Sequence, residues 1–271
     1  MAGGPFPGRS GVCQLPVGEA VVTRSRLSQF HELAEFYDPL NAGKDYRSEV
    51  RFLEAIARRL GPRGRTSWLD VACGSGRHLE YLRRKHRVVG VDASREMLRL
   101  ARRRVRGAKL VRGDMRTFRL GQRFDVVSCL FSAIGHLPTK SDVRKTFVNF
   151  ALHLNPGGVA VVEPWIAPSI FRAGFLQVRS YDSPAVTVAR FASSGRRGKH
   201  SIVRYDFYIG KPGREIQHRR VTDVGLLLSP PELLQLMRAA GLRPRFLVRG
   251  LTRGRGLLVG IKPRAKSSDT T

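Results

Sequence analysis

Leu69-Asp70-Val71-Ala72-Cys73-Gly74-Ser75-Gly76-Arg77-His78 decides how the chain is read. An apolar run enters a Gly-x-Gly turn, and a helix-compatible stretch follows. This is a buried strand passing through a tight turn into a helix, with Gly74 and Gly76 allowing the backbone to approach a ligand closely. The third glycine of a dinucleotide fingerprint is absent, because Leu79 stands in its place. Asp70 lies inside the strand, ahead of the turn. A carboxylate there repels a pyrophosphate and attracts a sulfonium or ammonium group.

Working outward, strands and helices alternate. Trp68–Ala72 reads as a strand, Arg77–Arg84 as a helix, Arg87–Val91 as a strand, and Ser94–Arg104 as a helix with Ser94 as its N-cap. Ala108–Val111 and Phe124–Phe131 are the next strands. Ser141–Leu154 is a helix that stops before Asn155-Pro156-Gly157-Gly158, and Val159–Glu163 is the strand after it. Such alternation predicts an α/β fold, a doubly wound and mostly parallel sheet covered by helices on both faces. Helices are expected upstream at Leu27–Tyr37 and Tyr46–Leu60, the second stopped by Gly61-Pro62.

From Ile166 to Leu228 the rhythm changes. Val178–Arg190, Ser201–Ile209 and Glu215–Leu228 read as strands with no helix between them, broken by Ser194-Gly195 and Lys211-Pro212-Gly213. They predict an antiparallel β insertion. A helix at Pro230–Ala240 and a closing hairpin, Arg245–Val248 with Gly256–Ile261, complete the plan. The expected organisation is an extension at residues 1–22, rich in Gly and Pro and read as disordered, and a cofactor-binding α/β domain with N-terminal cap helices at 23–165. The insertion at 166–228, a completing segment at 229–261 and a disordered tail at 262–271 follow. A transit peptide or a start placed too early would also fit residues 1–22.

Acids recur where a ligand would lie. Asp92 ends the second strand and can accept hydrogen bonds from two ribose hydroxyls. Gly113-Asp114-Met115 follows the third strand, an acid and an apolar neighbour suited to an adenine amino group and ring face. Any one of these could be a helix cap or a turn aspartate. Three at consecutive strand ends, with Asp70, point to S-adenosylmethionine (SAM) rather than to a nicotinamide dinucleotide.

Asp70-Val71-Ala72-Cys73-Gly74-Ser75-Gly76, Asp92, Gly113-Asp114-Met115-Arg116 and Phe124-Asp125-Val126-Val127 resemble the successive motifs of the class I SAM-dependent methyltransferases, over Tyr37 to Ile261. Four further stretches are Gly43-Lys44-Asp45-Tyr46, Phe131-Ser132-Ala133-Ile134-Gly135-His136-Leu137, Val161-Val162-Glu163-Pro164-Trp165 and Gly254-Arg255-Gly256-Leu257-Leu258. These are similar to the N,N-dimethyltransferases of nucleotide-linked amino sugars that serve macrolide biosynthesis. The resemblance implies a seven-stranded Rossmann-like sheet, SAM as cofactor and a small-molecule amine as acceptor. It implies cofactor contacts at Tyr37, Tyr46, Asp70, Ala72, Cys73, Gly74, Gly76, Asp92, Ala93, Met97, Asp114 and Met115. His136 is the implied catalytic base, and Glu163, Trp165 and Arg255 the implied acceptor contacts, with Arg255 suited to a diphosphate. Plain packing is the alternative for Tyr37 and Trp165, and surface exposure for Arg255. Two departures concern the acceptor. Ile166 stands where the family has a second tryptophan, and Gln29-Phe30-His31 lacks the family's substrate-contacting tyrosine.

Composition sets the remaining bounds. The chain has 271 residues and a formal net charge of +28, spread along its whole length. That field attracts polyanions of any kind. An RNA or protein methyltransferase is therefore the competing reading. The enzymes that methylate exocyclic base amines often carry Asn/Asp-Pro-Pro-aromatic after the fourth strand, where this chain has Leu130-Phe131-Ser132-Ala133. No metal-ligand spacing is present, and Cys13, Cys73 and Cys129 form no CxxC pair, which suits a reducing cytoplasm. No apolar run is long enough to span a membrane. A homodimer is compatible with all of this.

Overall fold

The computed structural model describes residues 21–23 and 33–264. The elements are β1 (Val21–Thr23), α1 (Ala34–Leu40), α2 (Tyr46–Leu60), β2 (Ser67–Val71), α3 (Arg77–Leu82), β3 (Arg87–Asp92), α4 (Arg95–Arg104), β4 (Lys109–Arg112) and β5 (Phe124–Cys129). A short 3₁₀ turn, Ala133–His136, precedes α5 (Lys140–Leu152) and β6 (Leu154–Val162). The insertion strands are β7 (Leu176–Ser183), β8 (Val186–Arg197), β9 (His200–Gly210) and β10 (Gln217–Leu226), followed by α6 (Pro230–Ala239), β11 (Arg243–Leu247) and β12 (Leu257–Ile261).

Seven strands form one sheet in the order β11-β12-β6-β5-β2-β3-β4. Strands β6, β5, β2, β3 and β4 run parallel, and β12 is antiparallel to both neighbours. The chain steps outward from β2 in one direction through β3 and β4, then returns to β5 on its other side. This is the switch point at which such sheets open a crevice beyond their strand ends.

Both faces of the sheet are buried. On one, Val50, Leu53, Ile56 and Ala57 of α2 pack against Trp68, Val126, Val159, Val161 and Val259. On the other, Phe147 and Phe150 of α5 and Leu233 and Met237 of α6 meet Leu69, Val127, Ala160 and Leu258. Trp68 is fully buried, and its indole N–H donates to Ser128 Oγ at 2.8 Å, so the largest side chain of the core leaves no bare donor. The helix starts match their sequence signals. Ser94 Oγ accepts from Met97 N, and Ser229 with Glu232 forms a full capping box ahead of α6.

The insertion forms a second sheet, β1-β10-β9-β8-β7, antiparallel except where β1 joins β10 in parallel. Three sequence expectations are corrected here. Val178–Arg190 is not one strand, because the chain turns at Pro184-Ala185 between β7 and β8. That turn contains no glycine or asparagine to announce it. Ser194-Gly195 does not break a strand, since Gly195 stays paired with Ile202 in the β8–β9 ladder and the turn comes at Gly198-Lys199. Residues 1–22 are not wholly an extension, because Val21 and Val22 pair with β10.

Two boundaries also move. The helix expected at Leu27–Tyr37 is found as Ala34–Leu40, and residues 24–32, including Gln29-Phe30-His31, lie outside the described residues. The expected tail begins with Lys262, whose ammonium donates to Ala151 O and Leu154 O, so this residue belongs to the domain. No helix among the described residues is long and apolar enough to cross a membrane.

Helix α1 is the joint between the two sheets. Leu33, Phe36 and Leu40 pack on Val188, Phe207, Ile209 and Val221 from the inner face of the insertion sheet. Its Asp38 reaches the opposite way and accepts from Ser75 Oγ at 2.6 Å. Arg104 of α4 closes the clasp, paired with Asp38 Oδ2 at 2.8 Å and donating to Ser75 O at 2.5 Å.

Candidate active site

Beyond the C-terminal ends of β2 to β5 lies a cavity of about 370 Å³. The loop after β2 forms its floor. Ala72 and Gly74 both have positive φ, 57° and 55°. Gly76 has φ 79° and packs against α4, where a Cβ would sit 3.2 Å from Ala101 Cβ. Gly76 therefore serves close helix packing, and from this loop it is Ala72 and Gly74 that line the cavity.

Asp92 lines the cavity at the end of β3, but it does more than the sequence suggests. Its Oδ2 accepts from Gly74 N at 2.7 Å and its Oδ1 from Ser94 N at 2.8 Å. It thus ties the loop after β2 to the start of α4, a structural role beside the expected contact with ribose.

Ala93, Met97, Asp114 and Met115 line the same cavity, as do Leu130, Phe131 and Leu137. Asp114 is gripped by Arg116, whose Nη2 lies 2.6 Å from Oδ2. That guanidinium holds the carboxyl below its ordinary range. Arg116 also reaches Asp142 at 3.1 Å, fixing the loop after β4 to α5.

A small side pocket continues from Tyr37, Ala72 and Gly74 to Tyr46, Asp70, Cys73 and His78. Burial pushes the Asp70 carboxyl up to about 6, against the lowering influence of His78 and of the 2.7 Å hydrogen bond from Ser128 Oγ. His78 Nε2 lies 2.8 Å from Glu49 Oε2, and Glu49 also pairs with Lys44. The Lys44 ammonium sits 4.6 Å from the Phe131 ring centroid, and Tyr37 meets the same ring edge-on at 6.0 Å. Cations and rings thus wall the side pocket from two directions.

A second cavity, about 480 Å³, opens between this region and the inner face of the insertion sheet. Tyr37, Phe131 and His136 line both cavities. They form the common wall. Burial pushes the His136 imidazole down to about 4, so it is neutral at physiological pH. Trp165 and Arg255 line the second cavity, with the guanidinium stacked 5.0 Å from the indole centroid. Trp165 Nε1 donates to Ser201 Oγ at 2.8 Å, and the ring fits between two glycines. A Cβ on Gly135 would lie 2.6 Å from Trp165 Cβ, and one on Gly225 would lie 2.7 Å from Trp165 Nε1.

Glu163 does not line the second cavity, although an acceptor contact was expected of it. It is fully buried, and its Oε2 accepts from Phe131 N at 2.7 Å. Phe131 and Ser132 are both left-handed, with φ of 52° and 60°. Two consecutive non-glycine residues in that region are strained. Glu163 holds the first, while Ser132 Oγ donates to Pro164 O and receives Arg255 Nη1 at 2.6 Å.

The second cavity also contains side chains that no sequence motif marked: Asn41, Arg179, Arg190, Tyr205 and Asp223. The available signal was alternation. In β7, β8 and β9 the inward residues fall at every second position, as in Gln177 and Arg179, Arg190 and Ala192, or Val203 and Tyr205.

Three comparisons bear on this geometry. Residues 69–158 match the model of a methyltransferase domain family. The chain is 39% identical over 238 residues to a dTDP-3-amino-3,6-dideoxy-alpha-D-glucopyranose N,N-dimethyltransferase of Streptomyces fradiae, covering 87% of this chain and 92% of that protein. Among solved structures, Streptomyces venezuelae DesVI is 38% identical, with a TM-score of 0.79 over 85% of this chain and 98% of that one. SAM-bound CalS10, an amino pentose methyltransferase from Micromonospora echinaspora, is 32% identical, with a TM-score of 0.75 over 86% and 97%.

Proposed function

The chain belongs to the family of SAM-dependent methyltransferases that includes the dTDP-amino-sugar N,N-dimethyltransferases of Streptomyces, and from that premise we propose that it methylates the amine of a nucleotide-linked amino sugar. The observation that carries this is the pair of cavities with one shared wall, Tyr37, Phe131 and His136. A cofactor on one side and an acceptor on the other would meet only there. At about 480 Å³ the acceptor cavity has the size of a small-molecule site.

The residues of the first cavity fit SAM. Asp92 lines the cavity at the strand end where it would face ribose hydroxyls, Met97, Met115 and Leu130 offer apolar surface to a base, and Asp70 supplies a buried negative charge toward a cationic cofactor. When bound, SAM supplies a methyl group on a positively charged sulfonium.

The protein's part is alignment and exclusion of water. Tyr37, closed over the site by the Asp38–Arg104–Ser75 clasp, and Phe131, held by Glu163, form that barrier. The acceptor amine attacks as the neutral base; a C–N bond would form as the C–S bond of the sulfonium breaks, and the resulting ammonium would release its proton to solvent. His136, neutral itself, accepts an N–H hydrogen bond from the amine and so turns the nitrogen lone pair toward the methyl group. Trp165 presents an apolar face to the sugar. The buried free thiols Cys73 and Cys129 suit a cytoplasmic setting.

Transfer of label from methyl-labelled SAM tests the assignment, with nucleotide amino sugars, free amines and total RNA as acceptors at low and high salt. Label on an amino sugar that survives high salt is the expected result. Label on RNA alone would transfer the substrate role to the positive charge and sink the amino-sugar assignment.

A further inference from the structure

Cys129 and Val162 are the last pair of the parallel β5–β6 ladder. Beyond them the two segments stay joined by a different set of bonds. Glu163 N donates to Cys129 O at 2.9 Å, Glu163 Oε2 accepts from Phe131 N at 2.7 Å, and Pro164 O accepts from Ser132 Oγ at 2.7 Å. Trp165 then closes on Gly135, where an added Cβ would lie 2.6 Å from Trp165 Cβ. Residues 163–165 thus run as a splint along residues 129–135.

The segment they hold is strained. Phe131 and Ser132 are left-handed in succession, a conformation that persists in non-glycine residues only where the surroundings impose it. The turn sets two members of the shared wall at once. Phe131 is one. His136 is the other, because the 3₁₀ turn that carries it starts from the same residues, with Ala133 N donating to Leu130 O at 3.2 Å and Gly135 N to Ser132 O at 2.9 Å.

A buried carboxylate is more than one backbone N–H requires. Glu163 is fully buried, and its Oε1 has no hydrogen-bond partner among the described residues. Stability alone does not favour an unsatisfied buried oxygen. What the side chain supplies is reach: the Phe131 N–H leaves the ladder as the backbone turns, and the carboxylate follows it. Glu163 lines neither cavity, so it acts only through the groups it holds.

We infer that Glu163 is a positioning residue for methyl transfer, whose reach to the Phe131 N–H fixes the turn that aligns Phe131 and His136 between the two cavities. This rests on the reading of the shared wall as the place where cofactor and acceptor meet. The rival agent is charge. Burial lowers the proton affinity of the Arg255 guanidinium, and the Glu163 charge opposes that.

Two conservative variants separate reach from charge. Glu163→Gln keeps the reach and gives up the charge. Glu163→Asp keeps the charge but is one methylene shorter. In steady-state label transfer from SAM to the acceptor that the wild type methylates, Gln should hold kcat within about threefold and Asp should lower it about 100-fold, the loss that about 1 Å of misplacement brings. The acceptor KM and the SAM affinity should stay within about twofold in both, because no ligand contact is removed. Hydrogen exchange of the peptide spanning residues 129–137 gives a readout that needs no acceptor. It should match the wild type in Gln and quicken in Asp. Wild-type kcat in the Asp variant would overturn the inference. So would an Asp-like loss in the Gln variant, which would make the charge the agent. A joint collapse of kcat, KM, SAM affinity and thermal midpoint in Asp would make Glu163 merely structural. A wild type that labels some other amine but no amino sugar would sink the acceptor assignment alone, since the two variants would still be compared on that amine.

Discussion

At the scale of single residues, two buried titratable groups face the cofactor region with opposite shifts. Burial raises the Asp70 carboxyl to about 6 and lowers the His136 imidazole to about 4. The first predicts a pH-dependent cofactor affinity. A cation favours ionised Asp70, so SAM binding should weaken below about pH 6 with a slope approaching tenfold per unit. Asp70→Asn should bind SAM weakly at every pH with that slope gone. An unchanged slope, read from equilibrium titrations, would remove Asp70 from the site. The second predicts that His136 stays a neutral hydrogen-bond acceptor until the pH is far below neutral. The acid limb of kcat/KM should then follow the acceptor amine, and His136→Ala and His136→Asn should lower kcat about 100-fold while SAM affinity holds within twofold. Full activity in both variants would make His136 a packing residue. Glu163 shows what residue-level inference leaves out. A carboxylate at a strand end looks like a ligand contact, but its backbone partner at Phe131 exists only because two residues downstream of β5 turn left-handed. Nothing in Leu130-Phe131-Ser132 announces that turn.

At the scale of elements, legibility follows the kind of signal each one carries. The parallel strands and their loops were readable because a buried run ending in Gly-x-Gly or Gly-Asp has few structural solutions. The insertion was readable as antiparallel, but its turns and its cavity face were not. Pro184-Ala185 carries no left-handed residue, Gly195 stays extended, and the inward positions of β7 and β8 mix Arg, Gln and Ala instead of presenting one apolar face. Helix α1 was foreseen as a cap, and its contacts make it the element that both cavities share. Its hold on the glycine loop is electrostatic and only partly buried, through Asp38, Arg104 and Ser75. Arg104→Ala should therefore weaken SAM about tenfold, the effect of losing one charged hydrogen-bonded group, while dTDP affinity changes little. The packing of Leu33, Phe36 and Leu40 on the insertion sheet should keep the fold intact, which circular dichroism would check. Equal loss of SAM and dTDP would mean that α1 cannot be loosened on one side alone.

At the scale of the whole molecule, the net charge of +28 invites an electrostatic account of function. The structure separates that excess into a surface field and a few guanidiniums lining the second cavity, Arg172, Arg179, Arg190 and Arg255. Only the latter are gathered around an enclosed space of small-molecule size. Acid stability likewise depends on where charge is buried rather than on its sum. Between pH 6.5 and 4 the unfolded chain protonates the residue corresponding to His136 and the folded chain does not, so this group removes stability as pH falls. Asp70 does the reverse. Its folded carboxyl takes up a proton near pH 6, before the unfolded one does, so it adds stability as pH falls through the same window. Each contributes about 3 kcal/mol across its shift, with opposite sign. Burial also holds the His153 imidazole down, which removes stability over the same range in every variant, so the two groups are read as differences from the wild type. Against the wild type, the Asp70→Asn midpoint should fall more steeply as the solution is acidified. Against the wild type, the His136→Asn midpoint should fall less steeply or rise over the same range. Parallel curves for the two variants, measured by scanning calorimetry in one buffer series, would show that neither group is buried in the ionisation state described.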